Sequence, residues 1–226
     1  MDAVTEFCLL GPLLVRRDEV TLPMAGKQRA VLAALLLSRD RAVSLDELIE
    51  VLWGAAPPPS ARVAVQNHVM RLRKALGDGA RIRTQPHGYE ICVADSELDV
   101  SRFEAHLAAA RAAARDGLWD AAAGQARAGL ALWRGEPLAG VGSELLTVRD
   151  VPRLAELRLQ AAEVRLDAHL HLGRHAEVIT ELQRLAASHP LREARDRTGC
   201  RAARTAVADP ERRPGRGSTS TGARRR

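Results

Sequence analysis

The stretch SARVAVQNHVMRLRKALG, residues 60–77, is the one around which the chain organises itself. Val65, Val69, Leu72 and Leu76 follow one another at the spacing of a single helix face. Ser60 stands where an N-cap belongs and Gly77 where a left-handed C-cap belongs. The pattern predicts a helix from Ala61 to Leu76, apolar inward. The same winding turns Arg62, Gln66, Asn67, Met70, Arg71, Arg73 and Lys74 to solvent. Arginines on an outer face describe, taken alone, only a solvated helix. The neighbouring segments decide what this one does.

Upstream, Phe7 to Val15 is an apolar run broken by Gly11-Pro12, and Val20-Thr21-Leu22 follows the polar Arg17-Asp18-Glu19; both predict short strands. A helix is expected from Lys27 to Ser38, with Val31, Leu32, Leu35 and Leu36 inward. Ser44-Leu45-Asp46-Glu47 has the form of a capping box. It opens a second helix with Leu45, Leu48, Ile49 and Leu52 buried and Trp53 in the core. Gly54 and Pro57-Pro58-Pro59 end it. Downstream, Arg81–Thr84 and Tyr89–Val93 alternate as two strands about the turn Gln85–Gly88. Strands, three helices and a hairpin make the plan of a winged helix-turn-helix. In that plan the third helix fits a major groove and a basic hairpin reaches the adjacent minor groove.

Overall charge does not support this reading. Residues 1–95 carry 12 basic and 11 acidic side chains, residues 96–192 carry 12 and 13, and residues 193–226 carry 10 and 4. The net charge of +6 therefore belongs to the tail. The informative feature is local: Arg62, Arg71, Arg73, Lys74, Arg81 and Arg83 lie in one stretch with a single acid, Asp78.

Residues 96–192 read as helices. Phe103, Leu107, Ala110 and Ala114 form one stripe, and a second helix runs from Gly117-Leu118-Trp119 to Trp133. Residues 135–148 are expected to form a loop. A long helix from about Pro152 to Leu172 carries two apolar stripes, Leu154/Leu157/Ala161/Val164/Ala168 and Leu159/Leu166/Leu170, as in a stacked repeat. A further helix is expected after Gly173, ending near His189-Pro190. Gly117-x-Trp119 and Gly173-x-His175 share the local turn pattern of tetratricopeptide repeats, though more widely spaced than a regular array. The expected fold is mainly α with a small β component: a winged helix over residues 1–95, a TPR-like helical domain over 96–192, and a disordered Arg-rich tail over 193–226.

Gln66 to Gly77 resembles the recognition helix of OmpR-type winged-helix domains, and Pro86-His87-Gly88-Tyr89 resembles their wing tip. Phe7-x-Leu-Leu-Gly-Pro-Leu, Lys27-Gln28-Arg29-Ala30-x-Leu and Leu52-Trp53-Gly54 before prolines resemble the SARP family, the Streptomyces antibiotic regulatory proteins. Leu130-Ala131-Leu132-Trp133-Arg134-Gly135-x-Pro137-Leu138 resembles that family's bacterial transcriptional activation domain. The resemblance runs from about Phe7 to Leu191.

It implies DNA contacts from the outer face of the third helix. By position, Arg71 is the leading base contact, since an arginine can pair with guanine through two hydrogen bonds, and Asn67 is a second. His68, Arg73 and Lys74 fit phosphate positions, and Arg62 lies near a phosphate or a base edge. Gln66 and Met70 complete the face. In the wing, Gln85 and His87 flank Pro86 where relatives often carry a basic residue, and Arg83 takes that role. The resemblance also implies promoter DNA bound as direct repeats, self-association there, RNA polymerase as partner, and control of antibiotic or other secondary-metabolite genes. A receiver domain of a phosphorelay output protein would precede the winged helix, and a helical adaptor that has lost DNA binding is the other alternative.

No catalysis, cofactor or metal is expected. The chain has no P-loop, GxGxxG or nucleophile motif, and Gly173 separates His171 from His175. Cys8, Cys92 and Cys200 are far apart and read as reduced cytoplasmic thiols. No membrane span or signal peptide is expected. In residues 193–226 Val207 is the only aliphatic side chain larger than alanine, which suggests a frameshifted or truncated end rather than a basic arm.

Overall fold

Phe7 and Val15 face each other across the first antiparallel pair, and both are buried. They belong to a three-stranded sheet, β1 (Thr5–Cys8), β2 (Leu14–Arg17) and β3 (Val20–Thr21), paired in chain order. The computed structural model describes residues 5–174 except 19, 40 and 78–80. The helix expected after Gly173 and the Arg-rich tail lie outside the described residues.

Helix α1 (Gly26–Leu37) buries every residue from Ala30 to Leu36. The expected stripe Val31/Leu32/Leu35/Leu36 is thus only part of its buried surface. Alanines fill the other faces, where α2, α3 and the wing close on the helix from several sides. Helix α2 (Leu45–Trp53) begins at Ser44, whose Oγ accepts the Glu47 N–H at 3.0 Å. Only this half of the expected capping box forms, because Arg41 and Arg149 take the Glu47 carboxylate. Leu48 and Val51 are its buried residues, while Leu45, Ile49, Leu52 and Trp53 are half-buried. Trp53 is not fully enclosed, and the Lys27 ammonium lies 4.2 Å from its ring centre.

Helix α3 spans Ala61–Leu76, with Val65, Val69, Leu72 and Leu76 all buried. Ser60 occupies the N-cap but makes no side-chain cap hydrogen bond, since its backbone is not extended there (ψ 10°). The other end is closed firmly. Gly77 adopts the left-handed conformation at φ 71°, its N–H bonds to the Arg73 carbonyl, and the Arg17 guanidinium donates to the Leu76 carbonyl.

The hairpin is β5 (Ile82–Gln85) and β6 (Gly88–Ile91), with Ile82 opposite Ile91 and Gln85 opposite Gly88. A two-residue strand, β4 (Val43–Ser44), adds to its other edge in the order β4-β6-β5, beyond what the sequence pattern predicts. A Cβ on Gly88 would come 1.9 Å from the Val43 carbonyl oxygen, so this pairing requires glycine.

Three further helices follow: α4 (Asp99–Arg115), α5 (Trp119–Ala131) and α6 (Glu144–His171). Phe103 meets Trp133 edge-to-face at 5.4 Å. Helix α6 starts well before Pro152, correcting the loop expected over residues 135–148. Ser143 caps it through the Leu146 N–H, and exposed Pro152 is carried inside, where water can reach the Val148 carbonyl that loses its donor. The rest of that expected loop lies against the turn after β1, with the Leu138 N–H on the Leu9 carbonyl at 3.0 Å and, just before the loop, the Arg134 N–H on the Leu10 carbonyl at 2.7 Å. Of the two stripes expected on α6, the first buries Leu154, Ala161 and Ala168 but leaves Leu157 and Val164 half-buried, and in the second Leu159 and Leu166 are half-buried and Leu170 is exposed. His171 stacks flat on Trp119 at 3.8 Å.

One buried cluster runs through both parts, from Phe7, Leu35, Leu72 and Ile82 to Leu98, Phe103, Leu146 and Ala161. Asp99 joins them. Its carboxylate accepts the Leu9 and Leu10 N–H groups at 2.8 and 2.9 Å, with the Arg134 guanidinium at 3.6 Å. Burial pushes this carboxyl above its ordinary range, against the pull of those donors.

Candidate nucleic-acid interface

The buried stripe of α3 fixes which residues face outward. Arg62, Gln66, Asn67, Met70, Arg71 and Lys74 are exposed on the opposite side, over about 18 Å of helix. Arg71 has no hydrogen-bond or ion-pair partner among the described residues, so its guanidinium is available to a ligand. Arg62 shares a 2.7 Å ion pair with Asp46 at the start of α2, both side chains largely exposed, so little holds the pair together.

Two residues of the expected set are placed differently from the others. Arg73 is half-buried and turned toward the wing: its Nε donates to the Ile82 carbonyl at 3.0 Å, an Nη donates to Thr84 Oγ1 at 2.8 Å, and the guanidinium lies 5.8 Å from the Tyr89 ring centre. It ties α3 to the hairpin. His68 is also half-buried. Burial first, then the charges of Arg71 and Lys27, push its imidazole below the ordinary histidine range, so it is neutral at pH 7.

On the wing, Arg83 and His87 are exposed, while Gln85 is half-buried and donates to Glu90 at 2.6 Å. Pro86 and His87 form the two-residue tip. The wing tip, the start of α2 and Arg62 enclose an open cleft of about 380 Å³ lined by Ser44, Asp46, Thr84, Gln85 and Tyr89 among others. Sequence reasoning missed Thr84 and Tyr89 and this cleft, because the β4–β6 pairing that forms it joins residues some 45 positions apart. The one available signal was the short Val43-Ser44 segment ahead of the cap.

Among the described residues no group of three or more histidine, cysteine or acidic side chains is arranged to hold a metal ion, and no helix is long and apolar enough to cross a membrane. Cys8 is buried, which raises its thiol to about 11, and Cys92 is half-buried and free.

Residues 5–91 match the family described as transcriptional regulatory protein, C terminal, and residues 98–207 match the bacterial transcriptional activator domain, a match that continues past the change in composition near residue 193. Regulatory protein AfsR of Streptomyces coelicolor is 43% identical over 189 residues, 83% of this chain and 19% of AfsR. Regulatory protein DnrI of Streptomyces peucetius is 34% identical, over 82% of this chain and 72% of DnrI. A structure of Mycobacterium tuberculosis EmbR, in complex with a low-affinity phosphopeptide, superposes with a TM-score of 0.81 at 35% identity, covering 85% of this chain and 52% of EmbR. The chain thus spans about a fifth of AfsR and about half of EmbR. On these matches, an OmpR-type winged helix followed by a bacterial transcriptional activator domain, the chain belongs to the SARP family of regulators.

Proposed function

We propose that this chain is a sequence-specific DNA-binding transcription regulator, an activator of antibiotic or other secondary-metabolite genes. The observation that carries this is the outer face of α3. Seven exposed side chains, all polar or cationic apart from Val63 and Met70, project from one helix opposite its core stripe. A helix of this diameter fits a major groove. Arg71 and Asn67 contact base edges. Lys74 and Arg62 meet phosphates, Gln66 and Met70 line the groove, and Arg83 and His87 on the wing lie toward the neighbouring backbone or minor groove. Gln85 shapes the wing tip. Arg73 and His68 act within the protein, the first by holding the wing on α3 and the second as a neutral packing group beside Arg71.

Residues 1–95 form the DNA-binding part, 96–192 the activation part and 193–226 an Arg-rich tail. Two copies bind side by side on direct repeats in promoter DNA and recruit RNA polymerase, in the cytoplasm at the nucleoid. Names and family matches of the relatives support the regulatory role.

The test uses the whole chain and a random duplex library. Rounds of selection should enrich a repeated motif, and affinity for it should fall steeply with salt as phosphate contacts release counterions. Absence of binding to any duplex at low salt would overturn the reading.

A further inference from the structure

Two large apolar side chains interrupt the polar face of α3. Val63 is 58% exposed and Met70 59% exposed. A single exposed apolar residue needs no explanation. These two stand seven residues apart on one helix, which returns them to nearly the same direction. With about 100° per residue and Arg62 as origin, Gln66 falls near 40°, Met70 near 80°, Val63 near 100°, Lys74 near 120°, Asn67 near 140° and Arg71 near 180°. The apolar pair therefore occupies the middle of the outward arc, with Arg62 and Arg71 at its edges. On a helix seated in a groove this arc as a whole faces the base edges and the groove walls, so apolar side chains within it can meet bases alongside Asn67 and Arg71.

The major groove offers one apolar group to meet such a stripe, the 5-methyl of thymine. We infer that Val63 and Met70 are specificity residues that read thymine methyls, an inference resting on the DNA-binding reading above. Seven residues advance about 10.5 Å along the helix, close to three base-pair steps at about 3.4 Å each. The two methyls they cover should thus belong to different base pairs at most about three steps apart, next to the bases read by Asn67 and Arg71.

The experiment takes the duplex enriched by the whole chain and replaces each thymine in turn by deoxyuridine, which lacks only the 5-methyl. Affinities are measured at one salt concentration for the unaltered chain, Val63→Ala and Met70→Ala. Both positions are exposed, so neither substitution removes core packing, and thermal melts verify that the variants fold. Removing a covered methyl should weaken the unaltered chain about three- to five-fold at two positions no more than about three base pairs apart. The loss should vanish at one position in Val63→Ala and at the other in Met70→Ala. If every thymine can be replaced without loss, the inference is wrong. It is equally wrong if the losses persist undiminished in both variants, which would leave the two side chains to a protein partner. Failure to enrich any duplex would remove the DNA-binding reading itself, a different result from an enriched duplex indifferent to its methyls.

Discussion

Asp99, the first residue of α4, accepts the backbone N–H of Leu9 on both carboxylate oxygens at 2.8 Å, across 90 residues of sequence. This contact fastens the turn after β1 to the helical part of the chain, within one continuous core. Asp99→Ala would leave the Leu9 and Leu10 N–H groups buried without acceptors. The expected cost is about 2–5 kcal/mol. Urea denaturation should show the loss as a lower midpoint. Because the core is shared, circular dichroism and DNA-binding signals should fall in the same transition.

Gly88 has no room for a side chain. Gly88→Ala would drive a methyl group into the Val43 carbonyl and separate β4 from β6. A loss of about 2–4 kcal/mol is expected, in the range of overpacked or strained sites. Thermal melts give the stability, and DNA affinity should drop further than the melt alone explains because the wing is displaced.

Arg73 and Lys74 are adjacent cations with different predicted effects. Lys74 is exposed, so Lys74→Ala should reduce the salt dependence of DNA binding by about one phosphate contact, a change of roughly 0.9 in the logarithmic slope. Arg73 is spent on Ile82, Thr84 and Tyr89. Arg73→Ala should weaken binding with the slope unchanged, while lowering protein stability. Affinity titrations at four or five salt concentrations separate the two cases.

Glu47 gives the fold an acid-sensitive contact. The Arg41 hydrogen bond first, with Arg149 adding to it, holds its carboxyl below the ordinary range despite partial burial. A carboxyl depressed in the folded state stabilises at pH above its unfolded value, and that contribution is lost as pH falls through the folded value. Melting temperature should therefore decline on the acid side, and Glu47→Gln should flatten that decline while lowering the plateau near neutrality. Identical acid limbs for the two proteins would contradict this.

The residues that the sequence made legible were those governed by local periodicity. Val65, Val69, Leu72 and Leu76 sit at one face of a regular helix, and all four are buried. Gly77 ends that helix because few residues accept its backbone conformation. What stayed hidden depends on partners distant in the chain. Two residues of β4 carry too little pattern to be seen, yet they close the wing-tip cleft. Arg73 looks like its exposed neighbours until the hairpin folds back onto it. Pro152 suggested a helix start, whereas Ser143, bonded through its Oγ to the Val51 carbonyl of α2 at 2.7 Å, set the actual one.

The most direct test of the account is the specificity of Arg71→Ala. Dissociation constants are measured for the selected duplex and for a scrambled duplex at the same salt. The account predicts a loss of about 1–3 kcal/mol on the selected duplex, roughly 5- to 150-fold, with binding to the scrambled duplex nearly unchanged. Equal losses on both duplexes, or none on either, would contradict it.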